Sequence, residues 1–145
     1  MRGLTLDQAD DGSTGYVEQL LERSDLPTAD LRSGPGQFYV ARHDTGRVGV
    51  GGLEVYGSNA LLRSVAVEPS LRGQGFGTGL CDALERKARA EDVETLYLLT
   101  TTAAGFFAGH GYVEIDREAT PPEIRETTEF AELCPSSATC LRKEL

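Results

Sequence analysis

The sequence predicts a single α/β domain, a mixed β-sheet with helices on both of its faces. Three observations predict it. The chain has 145 residues, the length of one domain, and no linker or internal repeat divides residues 1–145. Short β-prone runs bounded by glycine and proline follow one another through residue 67, as in a hairpin meander. Beyond them, segments of helical periodicity alternate with strands, the pattern of a β-α-β crossover. At this length a single core buries roughly 70% of the surface that the unfolded chain exposes, so no metal or disulfide staple is required.

Residues 1–6 read as a short first strand. Asp11, Ser13 and Thr14 offer N-caps for a helix with Tyr16, Val17, Leu20 and Leu21 on one stripe. Pro27, Gly34, Pro35 and Gly36 mark an irregular stretch. Residues 37–43 form a strand, Asp44, Thr45 and Gly46 a hairpin turn, and residues 47–56 the return strand. Gly49, Gly51 and Gly52 in that strand predict a bulge or a close backbone approach. After a turn at residues 57–59, the run ALLRSVAV over 60–67 is a strand that Pro69 stops. Residues 75–91 place Phe76, Leu80, Leu84 and Ala88 on one helical face. Residues 95–100 (TLYLLT) are a strand, 103–110 a short helix, and 112–116 and 138–145 two closing strands. Residues 121–135 form a helical or irregular excursion between these two.

Fourteen basic residues stand against 23 acidic ones, a net charge of −9. That balance excludes a general nucleic-acid or anionic-membrane binder, since phosphate backbones are held by Lys/Arg surfaces. It leaves a local anion site open. Lys87 and Lys143 are outnumbered by arginines, which fits a high-salt cytoplasm or GC-rich coding equally. No apolar run approaches the roughly 20 residues of a membrane span. The segment MRGLTLDQADDG lacks the apolar stretch of a signal peptide, so the expected location is cytoplasmic. Cys81, Cys134 and Cys140 do not form a secreted disulfide framework. No CxxC or histidine cluster has zinc spacing, and no metal is expected. His43 and His110 are expected at the surface.

The informative segment is VAVEPSLRGQGFGT, residues 65–78. A strand enters a loop with glycines at 73, 75, 77 and 79, and an amphipathic helix leaves it. Missing Cβ atoms let backbone amides approach a ligand, and the first helical turn carries unpaired, partly positive N–H groups. Pyrophosphate is the expected guest, with Arg72 adding a charge-assisted contact. A Walker loop needs Gly-Lys-Ser/Thr at its end, where this chain has Gly77-Thr78-Gly79. A dinucleotide fingerprint needs another glycine spacing and an acidic strand end about 20 residues on. The pattern present is Arg/Gln-x-x-Gly-x-Gly/Ala, on Arg72, Gly75 and Gly77.

That pattern resembles the acetyl-CoA motif of the GNAT superfamily of N-acetyltransferases. The resemblance continues through Thr100, Ala103 and Phe107, where relatives have Asn-x-x-Ala-x-x-x-Tyr, and through Gly111-Tyr112. Phe107 replaces the tyrosine that often protonates the departing thiolate, so that role does not transfer. LLRSVAV, LYLLTTTAAGFF and the C-terminal IRETTEFAELCPSSATCLRKEL further resemble the subfamily encoded with arsenic-resistance genes, which includes phosphinothricin and arsinothricin acetyltransferases.

The resemblance implies a GNAT fold whose fourth and fifth strands splay apart. It implies direct acetyl transfer from acetyl-CoA to a primary amine of a small molecule; many relatives pair as homodimers, and no interface is readable in this sequence. It places Val65, Ala66 and Val67 along the pantetheine, with the Val65 amide nearest the thioester oxygen as an oxyanion donor. It places Arg72, Gly73, Gln74, Gly75, Phe76, Gly77 and Thr78 around the diphosphate, and Thr100 and Phe107 beside the cofactor. The Thr100 hydroxyl also reads as a helix N-cap.

No carboxylate stands on the fourth strand, so Glu54 on the preceding strand is the candidate base, or else an ordinary strand carboxylate. Arg63, in the middle of an apolar strand, is costly unless paired. It either pairs with Glu54 or another acid, or grips an anionic acceptor through a bidentate contact. Arg117 and Arg125 are further acceptor candidates. Cys134 and Cys140 are either a loop and a strand cysteine or a thiolate pair for trivalent arsenic. An acyl-CoA sensor without catalysis is the rival from another class, motivated by Phe107 and the missing strand carboxylate.

Overall fold

The computed structural model describes residues 4–10, 12–24, 26, 28, 36–43, 46–101, 103–127 and 138–145. The elements run β1 (Thr5–Gln8), α1 (Thr14–Arg23), β2 (Gln37–His43), β3 (Gly46–Tyr56), β4 (Asn59–Val67), α2 (Phe76–Ala90), β5 (Thr95–Thr100), α3 (Ala104–Gly109), β6 (Val113–Ile115), α4 (Pro122–Arg125) and β7 (Thr139–Glu144). The seven strands make one sheet in the order β1-β2-β3-β4-β5-β7-β6. Among the described residues, only β4 and β5 pair in parallel. The remaining pairs are antiparallel.

The helices divide between the two faces. On one, Leu80, Cys81, Leu84 and Ala88 of α2 and Phe107 of α3 pack with Leu53, Ala60, Leu62, Leu96 and Leu98. On the other, Val17, Leu20 and Leu21 of α1 cover Phe38, Val40, Val50 and Ala66. Ile124 of α4 packs beside Leu61, Tyr97 and Cys140 on that same second side. The apolar stripe on residues 76–88 therefore becomes buried surface. No helix among the described residues is long and apolar enough to cross a membrane.

The first strand runs over Thr5–Gln8; of the expected span 1–6, Leu4 precedes the strand and residues 1–3 lie outside the described residues. Its register, Thr5 opposite Arg42 and Gln8 opposite Tyr39, is set by β2, and the Asp7–Arg42 ion pair lies across it at 2.6 Å. The excursion after β6 is a short 3₁₀ turn at Arg117–Ala119 followed by α4. Most of residues 121–135, Cys134 among them, and the centre of the hairpin turn at 44–45 lie outside the described residues.

The glycines of β3 serve close approach and a bulge. A Cβ on Gly49 would collide with the Ala66 carbonyl oxygen, a backbone atom that cannot step aside. Gly49→Ala is therefore expected to lower stability by roughly 1–3 kcal/mol, as overpacked cores do. A urea melt with an unchanged m-value and a lowered midpoint would show it; an unchanged midpoint would contradict the contact.

Candidate active site

The site begins where two strands part. β4 and β5 pair only over residues 59–61 with 95–97. Beyond that point β4 stays with β3 as far as Val67, and β5 stays with β7 to Thr100. The splay expected of the fourth and fifth strands is present, and residues 62–67 form one wall of the resulting cleft.

That wall carries a bulge. Gly52 pairs with Arg63 and Val50 with Ala66, so Ser64 and Val65 together oppose Gly51. Ser64 has φ +57°, the left-handed region, which a non-glycine residue adopts at a cost of order 1–3 kcal/mol. Val65 and Val67 are half-buried against the α2 side, and Ala66 is buried on the α1 side.

The chain then turns through a 3₁₀ segment, Pro69–Leu71, into the glycine loop. Gly73 (φ +81°) and Gly75 (φ +88°) are left-handed, and Gly75 caps α2 without any side-chain hydrogen bond. At this end the Gly79 N–H donates to the Gly75 carbonyl at 3.2 Å, the i→i−4 bond that opens the helical ladder. The N–H groups of Phe76, Gly77 and Thr78 therefore precede the helical ladder. A fifteen-residue helix with an uncapped amino end on exposed glycines suits an anion.

Arg72 braces this loop. Its Nε donates to the Val67 carbonyl and its Nη2 to the Ser24 hydroxyl, each at 3.2 Å. Glu68, one residue beyond β4, accepts from the Tyr16 hydroxyl at 2.9 Å and pairs with Arg23. Burial and that carboxylate push the Tyr16 phenol well above its usual range. The Phe76 ring meets His43 edge-on at 5.3 Å, so His43 is half-buried rather than a surface residue.

At the far side of the cleft, Thr100 Oγ1 accepts from the Ala103 N–H at 3.0 Å, which is the capping role. Phe107 is buried, with edge contacts to the Phe106 and Tyr112 rings. The ring that reaches the loop is Phe106, 40% exposed, whose edge lies 3.4 Å from where a Cβ on Gly77 would stand. Sequence reading missed it, although its place one residue before Phe107 in a short helix was available as a signal.

Glu54 and Arg63 join each other. Arg63 Nη1 donates to Glu54 Oε2 at 2.9 Å, both side chains being at most 1% exposed. The Tyr56 hydroxyl donates to Glu54 Oε1 at 2.6 Å, and the Phe38 ring lies under the guanidinium. Arg63 Nε donates to the Ser64 hydroxyl at 3.1 Å. Of the two readings of Arg63, pairing with Glu54 is the one that the geometry displays. Both Glu54 oxygens already accept hydrogen bonds. Glu54 also lies opposite Leu61, four residues before Val65, on the order of 13 Å along the strand.

Arg117 lines a groove with Glu114, Asp116, Thr139 and Cys140 at the β6–β7 edge. Arg125 is exposed on α4. The Cys140 thiol is pushed up to about 11 by burial, so it stays protonated and is a poor soft-metal ligand near neutral pH. Its suggested partner, Cys134, lies outside the described residues.

A second polar cluster ties α2 to β7. Buried Glu85 accepts from Lys143 at 2.8 Å and from the Tyr112 hydroxyl at 3.1 Å. His110 Nε2 lies 3.1 Å from Asp82 and 3.8 Å from Glu85, so His110 is not an isolated surface residue. Ligand atoms of Asp82, Glu85 and His110 converge within 4.8 Å, but the Lys143 ammonium already supplies the positive charge there.

Residues 34–114 match the model of the acetyltransferase (GNAT) domain. The chain is 34% identical over 125 residues to an amino-acid acetyltransferase of Mycobacterium tuberculosis, covering 83% of this chain and 67% of that one. The N-acetylglutamate synthase of Neisseria gonorrhoeae, solved with coenzyme A and N-acetyl-glutamate, superposes on the whole chain with a TM-score of 0.83 at 19% identity. A Mycobacterium tuberculosis protein solved with CoA and NLQ superposes on 97% of this chain and 99% of its own, with a TM-score of 0.78 at 24% identity. This chain spans about two thirds of the length of the curated relative and 36% of the gonococcal synthase. The splayed strands, the bulge, the uncapped glycine loop and these matches together establish that the chain belongs to the GNAT family of acetyl-CoA-dependent N-acetyltransferases.

Proposed function

We propose that the chain transfers the acetyl group of acetyl-CoA to the α-amino group of an amino acid. The observation that carries this reading is the likeness, at 34% identity over 125 residues, to a protein named for that activity. Acidic amino acids are the first acceptors to test, because the gonococcal synthase was solved with N-acetyl-glutamate. Phosphinothricin and arsinothricin belong to the same chemical class, an α-amino acid with a second anionic head, and extend the panel.

In this reading the N–H groups of residues 73–78 hold the diphosphate, and the pantetheine lies along residues 65–67. The free amine attacks the thioester carbonyl and a C–N bond forms. The Val65 N–H donates to the resulting oxyanion. Collapse breaks the C–S bond and expels the coenzyme A thiolate, and the ammonium proton passes to water. A thiolate whose conjugate acid is close to cysteine, about 8.5, leaves without a proton donor, so Phe107 in place of tyrosine does not block the reaction. Arg125, exposed on α4, and Arg117 hold acceptor carboxylates. In this reading Glu54, which accepts from Tyr56 and Arg63, serves as the partner of Arg63 rather than as the base.

A coupled thiol-release assay over acidic, neutral and basic amino acids, phosphinothricin, arsinothricin, polyamines and aminoglycosides tests this. The expected result is a kcat/KM for acidic amino acids or their analogues at least about tenfold above that for polyamines. Preference for polycations would overturn the acceptor assignment. Tight acetyl-CoA binding with no turnover on any amine would favour a sensor.

A further inference from the structure

We infer that Ser64 and Arg63 are positioning residues for the oxyanion donor: the Arg63 side chain, locked by Glu54, holds Ser64 in its left-handed bulge and so aims the Val65 N–H. The inference rests on the acetyl-transfer reading above and adds residues to it. The dihedral angles of Ser64 orient the peptide plane between Ser64 and Val65, and the N–H of that plane is the donor. Serine has no intrinsic preference for φ +57°, and glycine is the usual occupant of such a bulge. Something must hold the conformation. The contact that does so is Arg63 Nε to Ser64 Oγ at 3.1 Å, with both residues buried.

Arg63 is in turn immobile. One nitrogen is held by Glu54 at 2.9 Å, Glu54 is held by the Tyr56 hydroxyl at 2.6 Å, and the Phe38 ring carries the guanidinium 5.5 Å from its centroid. The chain Tyr56–Glu54–Arg63–Ser64 thus runs across β3 and β4 and ends at the backbone of the cleft wall. A lysine at 63 would keep the charge against Glu54 but lose the Nε–H donor in its fixed fork. An alanine at 64 would lose the acceptor.

The test is a double-mutant cycle on kcat with acetyl-CoA and the best acceptor, using Arg63→Lys, Ser64→Ala and the double variant. Each single change is expected to lower kcat roughly 10- to 100-fold, a misaimed oxyanion donor being the cause. KM for acetyl-CoA should stay within about twofold, because the diphosphate contacts are untouched. The double variant should be no worse than the poorer single one, since the two residues act as one unit. Ser64→Gly, which adopts positive φ unaided, should hold the bulge without Arg63 and keep kcat within about threefold of the wild type, so that the loss in Ser64→Ala is read as a misaimed backbone and not as a missing hydroxyl. In the wild type, the ¹⁵N-resolved Val65 amide should shift with acetyl-CoA more than with coenzyme A, and in Arg63→Lys and Ser64→Ala that difference should vanish. Wild-type kcat in Ser64→Ala, a loss in Ser64→Gly as deep as that in Ser64→Ala, or losses that multiply in the double variant, would overturn the positioning role alone. A wild type that neither binds acetyl-CoA nor shifts Val65 would overturn the acetyl-transfer reading with it.

Discussion

Gly75→Asp is expected to reduce affinity for coenzyme A by about 100-fold or more. Two effects act in the same direction. Gly75 is left-handed at φ +88°, so any side chain there strains the loop that sets the start of α2. The new carboxylate would also stand at the amino end of the helix, where a diphosphate must approach. Two like charges at about 4 Å repel by roughly 4 kcal/mol near a protein surface, more than the roughly 2.7 kcal/mol that 100-fold represents. Gly75→Ala separates the two effects, because it adds the strain without the charge, and should fall between the parent and Gly75→Asp. The checks are the dissociation constant from calorimetry and KM for acetyl-CoA. Equal affinities for parent and Gly75→Asp would remove the loop from the binding site.

Arg63→Ala is expected to cost about 3–5 kcal/mol of stability, because it leaves the buried Glu54 carboxylate without its cation. For a chain of this size that is a fall of roughly 10 °C or more in melting temperature. Replacing both partners, as in Glu54→Gln with Arg63→Met, should recover much of the loss, since a neutral pair of similar volume no longer buries a lone charge. Thermal unfolding followed by circular dichroism decides it. An Arg63→Ala protein of parental melting temperature, with KM raised only for anionic acceptors, would return Arg63 to the substrate side.

The parts legible in the sequence are those that local chemistry specifies. β2 and β5 begin and end where apolar alternation meets glycine, proline or threonine, and they occur at residues 37–43 and 95–100 as their sequences require. The stripe Phe76, Leu80, Leu84, Ala88 needs only the helical period. The glycine loop is legible because left-handed residues at 73 and 75 call for glycine. Register is not written in this way. That Glu54 meets Arg63 depends on Gly52 facing Arg63 across the β3–β4 pair, and a shift of one residue would have sent the two side chains to opposite faces. Ser64 stayed invisible for a related reason. A serine in LLRSVAV reads as a minor interruption of a strand, and only the two-against-one opposition to Gly51 reveals the left-handed bulge. The Glu85–Lys143–Tyr112 cluster likewise joins residues up to 58 positions apart, which no local pattern announces.

The central claim is that backbone amides on the glycine loop bind the diphosphate of acetyl-CoA and deliver its acetyl group beside Val65. Calorimetric titration of the purified protein with acetyl-CoA, coenzyme A and dephosphorylated pantetheine tests it most directly. Heat of binding at 1:1 stoichiometry for the first two, and at least about tenfold weaker binding for pantetheine, is the expected result. No heat with acetyl-CoA, or equal affinity for pantetheine lacking the diphosphate, would contradict it.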